Sequence, residues 1–170
     1  MFDKNIELKG KHASYVKYLD AKDNNGAFNR YIDLYMIGAI WGSIHNKKSQ
    51  IDNSGNETAK ILTETLIGER NKLEFIYRLI MLIDDSEYLT NEERLDRAFR
   101  DDTDPEALEK NLETFHSYAL GGIESLYEEF RVCTTRDDLI DKVYQIVERF
   151  YNENYEGHDD FDEVIKQIIY

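Results

Sequence analysis

Apolar positions recur at helical spacing over most of this chain, and the alternation typical of strands is nearly absent. Side chains three or four positions apart share one face of a helix. The pattern predicts an all-α, single-domain bundle of about six helices over residues 1–170. Residues 1–27 are expected to be irregular or to form a short helix near 11–19, and the polar residues 46–56 are expected to form a long loop.

The segment from about residue 28 to residue 45 carries apolar side chains on nearly every side of a helix. A helix of this kind is normally buried, so we expect it at the centre of the bundle. It contains Gly38 and Gly42, whose spacing lets a second helix approach closely. A ligand groove beside Trp41 is the functional alternative. The Gly121-Gly122 pair either bends its own helix or admits a neighbour.

Later helices are predicted from their apolar faces and start signals. A long helix is expected over residues 57–83, with a kink or break at Gly68, because glycine costs about 1 kcal/mol relative to alanine inside a helix. Three polar start signals then follow, each able to bond the exposed amides of a first helical turn. They are the Thr90–Glu93 capping box, the Asp104-Pro105 pair and the run from Thr135 to Asp138.

The final helix is predicted over residues 159–170 and has an undiluted apolar face. Its side chains follow the i, i+3, i+4 pattern, so they must be covered by the bundle or by a partner. The candidate interaction residues on this face are Phe161, Val164, Ile165, Ile168 and Ile169.

Charge is divided unequally along the chain, whose formal net charge is −14. Residues 1–83 carry 12 Lys and Arg against 10 Asp and Glu, whereas residues 84–170 carry 9 against 25. An acidic half of this kind repels nucleic acid and anionic membranes and attracts basic surfaces. It either solubilises the protein or, with its carboxylates on one continuous face, imitates DNA towards a DNA-binding protein.

Composition also indicates the cellular location. Cys133 is the single cysteine, so an intrachain disulfide is excluded and a reducing cytoplasm is the expected location. The amino-terminal residues lack the apolar core of a signal peptide. The most apolar stretch, residues 31–44, is too short to span a bilayer, so no membrane partner is expected.

Candidate chemistry is sparse, and no catalytic residue or cofactor site is predicted. The sequence lacks a nucleophile motif, a phosphate-binding loop and a dinucleotide fingerprint. Glu113-x-x-His116 places a carboxylate and an imidazole on one helix face, which makes these two residues the candidate metal ligands. Di-iron bundles need that motif twice, together with two further carboxylates. Here it occurs once.

Two groups of basic residues are candidates for binding. Arg94, Arg97 and Arg100 lie three positions apart, so they share one side of a helix and either bind an acidic or phosphate group or pair with neighbouring carboxylates. Lys9, Lys11, His12 and Lys17 are interleaved with Tyr15 and Tyr18, as in some nucleic-acid-binding surfaces. The net charge opposes direct nucleic-acid binding, so we expect a protein partner or a homo-oligomer instead.

Three segments resemble small all-helical accessory proteins encoded beside bacterial defence cassettes of the DNA-modification or restriction type. They are residues 28–35 (FNRYIDLY), 69–80 (ERNKLEFIYRLI) and 97–102 (RAFRDD). The resemblance implies a component without catalytic activity that works with larger DNA-handling proteins.

Three hypotheses follow for the function. The first is a non-catalytic helical interaction module that assembles with itself or with a larger protein, with the defence system as its setting. The alternatives are an acidic DNA-mimic inhibitor and a metal-dependent helical-bundle enzyme.

Overall fold

A computed structural model describes residues 1–24, 26–85 and 88–154 of the chain. Helices dominate this part of the protein, which confirms the predicted all-α class. In chain order the elements are β1 (Ile6–Lys9), α1 (Gly10–Leu19), α2 (Ala21–Asn24), α3 (Tyr31–Ile44), β2 (Thr58–Ile61), α4 (Thr63–Gly68), α5 (Arg70–Ile83), α6 (Asn91–Phe99), α7 (Pro105–Phe130) and α8 (Arg136–Asn154).

The chain folds into two compact units, residues 1–128 and residues 129–170. The first unit contains the elements from β1 to α6 and most of α7, and the second contains α8. A single domain over residues 1–170 stays a prediction. Within the described ranges, no helix is long and apolar enough to cross a membrane.

Helix α3 lies in the core of the first unit, as predicted. Half of its residues are buried, on several sides of the helix, and they include Ile32, Leu34, Tyr35, Met36 and Ala39. The helix begins later than predicted, at Tyr31. Phe28 instead bonds to the junction of α1 and α2, where its amide donates to the carbonyl of Leu19 at 3.1 Å and its carbonyl accepts from the amide of Ala21 at 2.8 Å. That contact holds Phe28 in extended backbone.

Helices α3 and α7 approach each other through glycines, which supports packing as the role of Gly38 and Gly42 and gives Gly122 a close neighbour. A Cβ atom on Gly38 would lie 2.9 Å from the carbonyl oxygen of Ala119 in α7. A Cβ on Gly122 would meet the carbonyl oxygen of Gly38 and would lie 2.8 Å from the amide nitrogen of Gly42. These separations are shorter than real Cβ contacts, so a larger residue would push the helices apart.

The prediction of a helix from residue 57 is wrong for residues 58–61. These residues form β2, which pairs antiparallel with β1 so that Leu8 lies opposite Ala59. Ala59 and Ile61 are buried while Thr58 and Lys60 are exposed, the alternation of a strand with one covered face. Four residues are too few for that alternation to stand out in the sequence, and the partner strand is about fifty positions away.

Helix boundaries after residue 62 follow the predicted signals. The long helix breaks at Gly68, where α4 ends, and α5 begins at Arg70. The Thr90 hydroxyl accepts from the amide of Glu93 at 3.2 Å, and the Glu93 carboxylate accepts from the amide of Thr90 at 2.7 Å. Asp104 caps α7 by accepting from the amide of Glu106 at 3.0 Å. The predicted final helix over residues 159–170 lies outside the described residues.

Candidate protein-interaction surface

The three predicted arginines have different surroundings. Arg97 donates from Nη1 to the Asp84 carboxylate at 3.1 Å and from Nε to Asn111 at 3.0 Å. Arg94 donates to the backbone carbonyl of Leu82 at 3.2 Å and to that of Asp84. Two of the three guanidinium groups therefore hold the end of α5.

Arg100 differs from the other two arginines, because its side chain is largely exposed and pairs with Asp96 one turn earlier at 2.5 Å. The five apolar interaction candidates from Phe161 to Ile169 lie outside the described residues.

Asp84 is the centre of a buried polar cluster that sequence reasoning missed. Its carboxylate accepts from the hydroxyl of Tyr118 at 2.7 Å, from Lys48 at 3.3 Å and from Arg97. These partners come from the loop after α3, from α6 and from α7. Burial and the adjacent Asp84 carboxylate raise the pKa of Tyr118. The cluster joins the end of α5 to the other three parts of the chain, so we assign it a role in stabilising the fold.

A second cluster surrounds Glu124 of α7. Its Oε1 atom lies 2.8 Å from Nε2 of His12 and 2.8 Å from Nζ of Lys11, and it also accepts from the hydroxyl of Ser49. His12 is fully buried, and this burial lowers its pKa against the opposing effect of Glu124. The Nδ1 atom of His12 has no hydrogen-bond partner in the described part of the chain.

The candidate metal ligands Glu113 and His116 have no further ligands beside them in the described part of the chain. His116 is engaged through Nδ1 with the hydroxyl of Tyr35 at 3.1 Å, and burial lowers its pKa to about 4. Within residues 1–24, 26–85 and 88–154, no group of three or more His, Cys, Asp and Glu side chains is placed to hold a metal ion. Among these residues, the structure places no two further carboxylates beside Glu113 and His116, as a di-iron bundle would need.

The basic residues of α1 are occupied by carboxylates. Lys11 and His12 meet Glu124, and Lys17 pairs with Glu57 on the segment before β2. The ring of Tyr15 stacks on Tyr127 of α7 with centroids 4.0 Å apart. Cations and rings that pack against this chain's own groups are poorly placed to bind phosphates and bases.

An open apolar groove lies between α5 and α6. Phe75, Leu79 and Phe99 line it and are 68%, 40% and 51% exposed. Phe75 and Leu79 are one turn apart on α5, away from the buried face that contains Leu73 and Ile80. The groove, called here the α5–α6 groove, has a volume of about 400 Å³ and is lined by Asn71, Glu74, Phe75, Arg78, Leu79, Leu82 and Phe99.

Arg78 gives the α5–α6 groove a positive charge. Its guanidinium carbon lies 5.5 Å from the centre of the Phe99 ring, within the range of a cation–π interaction. The Nε atom is buried and has no hydrogen-bond partner among the residues that the structure describes. Glu74, one turn earlier on α5, pairs with Arg70 at 2.7 Å.

Sequence reasoning did not single out this groove. Apolar side chains occur on several sides of α5, and the sequence does not show which of them a neighbouring helix covers. A local signal does exist, because on a helix of 3.6 residues per turn Phe75 lies nearly half a turn, and Leu79 about a third of a turn, from the centre of the buried stripe of α5. The same spacing also occurs in fully buried helices, so this signal does not reveal exposure.

Comparison with known protein families gives a match over most of the chain. Residues 6–165 match the family described as DNA sulphur modification system-associated protein 4. The comparison with curated proteins found no match, and neither did the comparison with solved structures. The family match confirms the resemblance to accessory proteins of DNA-modification cassettes.

Proposed function

Because the chain belongs to the DNA sulphur modification system-associated protein 4 family, we propose that it is a non-catalytic interaction module of that system. In this proposal it assembles with another protein encoded in the same cassette. The proposal also places it in the cytoplasm, where such a system has access to DNA.

The observation that carries the proposal is the α5–α6 groove. Two phenylalanines on adjacent helices are more than half exposed there, and Leu79 belongs to the same lining. A contiguous exposed apolar surface is costly in water and commonly marks a protein interaction site. Aromatic residues and arginine are enriched in the central part of such interfaces, and both are present in this groove.

The placement of titratable groups favours binding over catalysis. His12, His116 and Asp84 are engaged with other side chains of the protein, and the lining of the α5–α6 groove does not include them. A general acid or base must instead lie within hydrogen-bond reach of a substrate. The groove's own lining includes one carboxylate, Glu74, which pairs with Arg70.

Several carboxylates of the acidic half serve the protein itself, which weakens the basis of the DNA-mimic alternative. Asp84 is buried, and Asp104 and Asp138 accept hydrogen bonds from backbone amides at the starts of α7 and α8. A DNA mimic needs its carboxylates free on one continuous face. Direct nucleic-acid binding likewise gains no support, since the basic residues of α1 meet carboxylates.

Co-expression of the chain with each protein of its own cassette, followed by affinity purification and light scattering, tests the proposal. We expect a complex of defined mass with at least one of these proteins at physiological salt. Phe75→Ser should weaken that complex. Ile67→Ser, which changes a residue of similar exposure on α4 outside the groove, should leave it intact. A monomer that binds none of the cassette proteins would refute the proposal.

A further inference from the structure

We propose that the α5–α6 groove binds an amphipathic helix of the partner protein, and that an Asp or Glu beside the apolar face of that helix pairs with Arg78. This inference rests on the proposed function and specifies the chemistry of the partner. It is unexpected for a chain with a net charge of −14, whose surface as a whole favours basic partners.

The shape of the groove favours a helix over a small molecule. Ligand pockets typically bury 70–90% or more of a drug-sized ligand. The walls of this groove are themselves about half exposed at Phe75, Leu79 and Phe99, so they cannot enclose a small molecule. Two adjacent helices with a trough between them suit the helix-in-groove mode, in which apolar side chains one turn apart fill the trough.

The charge requirement comes from Arg78. Guanidinium has five N–H donors and no acceptor, and here the buried Nε donor is unsatisfied within the described ranges. Packing against Phe99 holds the guanidinium beside the apolar lining. A carboxylate can accept two parallel hydrogen bonds from such a group, an arrangement that is both strong and directional.

Among the described residues, the lining of the groove does not provide this carboxylate. Glu74 is four positions before Arg78 on the same helix and would be a suitable partner, but its Oε1 accepts from Nε of Arg70. A basic helix docked here would bring a like charge against Arg78. An acidic helix would instead place a carboxylate beside the guanidinium group, so local charge complementarity selects it.

Overlapping 20-residue peptides that cover the proteins of the same cassette provide the probe. Their binding to the full-length chain is measured by fluorescence anisotropy. We expect the binding peptides to combine helical apolar spacing with an Asp or Glu beside the apolar face. Arg78→Gln should weaken their binding at least about tenfold, since loss of one partner of a desolvated charge pair is costly. Lys72→Gln, the same charge change on an exposed side chain outside the groove lining, should have little effect.

A double-mutant cycle separates the proposed pair from a general loss of structure. Replacing the peptide's carboxylate by its amide should weaken binding to the unaltered chain and have much less effect on the Arg78→Gln variant. Where an intact cassette protein binds but its peptides do not, the same variants and the same cycle are measured on the intact complex. Thermal unfolding of Arg78→Gln, compared with the unaltered chain, verifies that the variant is folded.

Several results would overturn the inference. One is a cassette complex that forms normally with Arg78→Gln, which contradicts the inference while leaving the proposed function standing. The inference is also overturned if the groove binds a second copy of the chain, a peptide of its own residues 155–170 or DNA. Each of these would compete with the cassette protein for the unaltered chain, and Phe75→Ser would weaken its binding. Failure of every cassette protein to bind would overturn the inference and the proposed function together.

Discussion

Replacing Gly122 with alanine tests the close approach of α3 and α7, because the approach determines whether the free energy of unfolding rises or falls. Inside a helix this substitution normally stabilises by about 1 kcal/mol, because alanine has the higher helix propensity. Here the added Cβ would lie 2.8 Å from the amide nitrogen of Gly42 and closer still to the carbonyl oxygen of Gly38, against the 3.4–4 Å of an ordinary contact. The atoms it meets belong to backbone, so they cannot rotate aside.

The expected change in the free energy of unfolding is the difference between the gain in helix propensity and the cost of the steric clash. Overpacking a core typically costs about 1–3 kcal/mol and occasionally more. Because two backbone atoms of α3 must move, we place this substitution at the upper end of that range. After subtraction of the propensity gain, Gly122→Ala should destabilise the protein by about 2 kcal/mol. For a chain of this length this corresponds to a decrease in Tm of about 4–8 °C.

Urea unfolding followed by far-UV circular dichroism measures the effect, with Gly68→Ala as the matched control. Gly68 is the last residue of α4, and a Cβ there would meet nothing within 4 Å. The control should therefore be neutral or stabilised by up to about 1 kcal/mol. If Gly122→Ala were as stable as the unaltered protein, or more stable, the close glycine contact between α3 and α7 would be refuted.

Three further predictions concern stability. Asp84→Asn should destabilise by about 3 kcal/mol in urea unfolding, because it removes the carboxylate that faces Lys48 and Arg97 in a buried site. The control Asp85→Asn, at an exposed neighbouring position, should change the free energy of unfolding by less than about 0.5 kcal/mol. If the two variants were destabilised equally, the buried cluster around Asp84 would not be the cause. Burial lowers the pKa of His116 to about 4 from an ordinary value of 6.5. The unfolded chain therefore binds a proton at this residue more readily than the folded chain does, and the free energy of unfolding falls as the pH drops below about 6.5. Between pH 7 and pH 5 the loss from this group should be about 2 kcal/mol, and a His116→Gln variant with the same pH dependence would exclude it as the cause. Thr90→Ala should cost about 1 kcal/mol by removing the cap of α6, and an unchanged urea midpoint would show that the cap is not needed.

The sequence by itself determined those features whose causes lie within a few residues. The capping box at Thr90 and Glu93 and the Asp104-Pro105 start could be predicted because a side chain bonds amides two or three positions away. The break at Gly68 and the buried character of α3 follow from local propensity and from the amount of apolar surface on one segment. The Gly38 and Gly42 pair was also recognisable, since small residues one turn apart on a helix admit a neighbouring helix whichever helix it is.

Tertiary structure alone decided the features that depend on partners far apart in the chain. Thr58–Ile61 form a strand because β1 lies beside them. Arg97 pairs with Asp84 because α6 packs against the end of α5. The exposure of Phe75 and Phe99 was decided in the same way. A helix with apolar residues on several sides buries whichever side its neighbours cover, and long-range packing leaves the remaining side open to a partner.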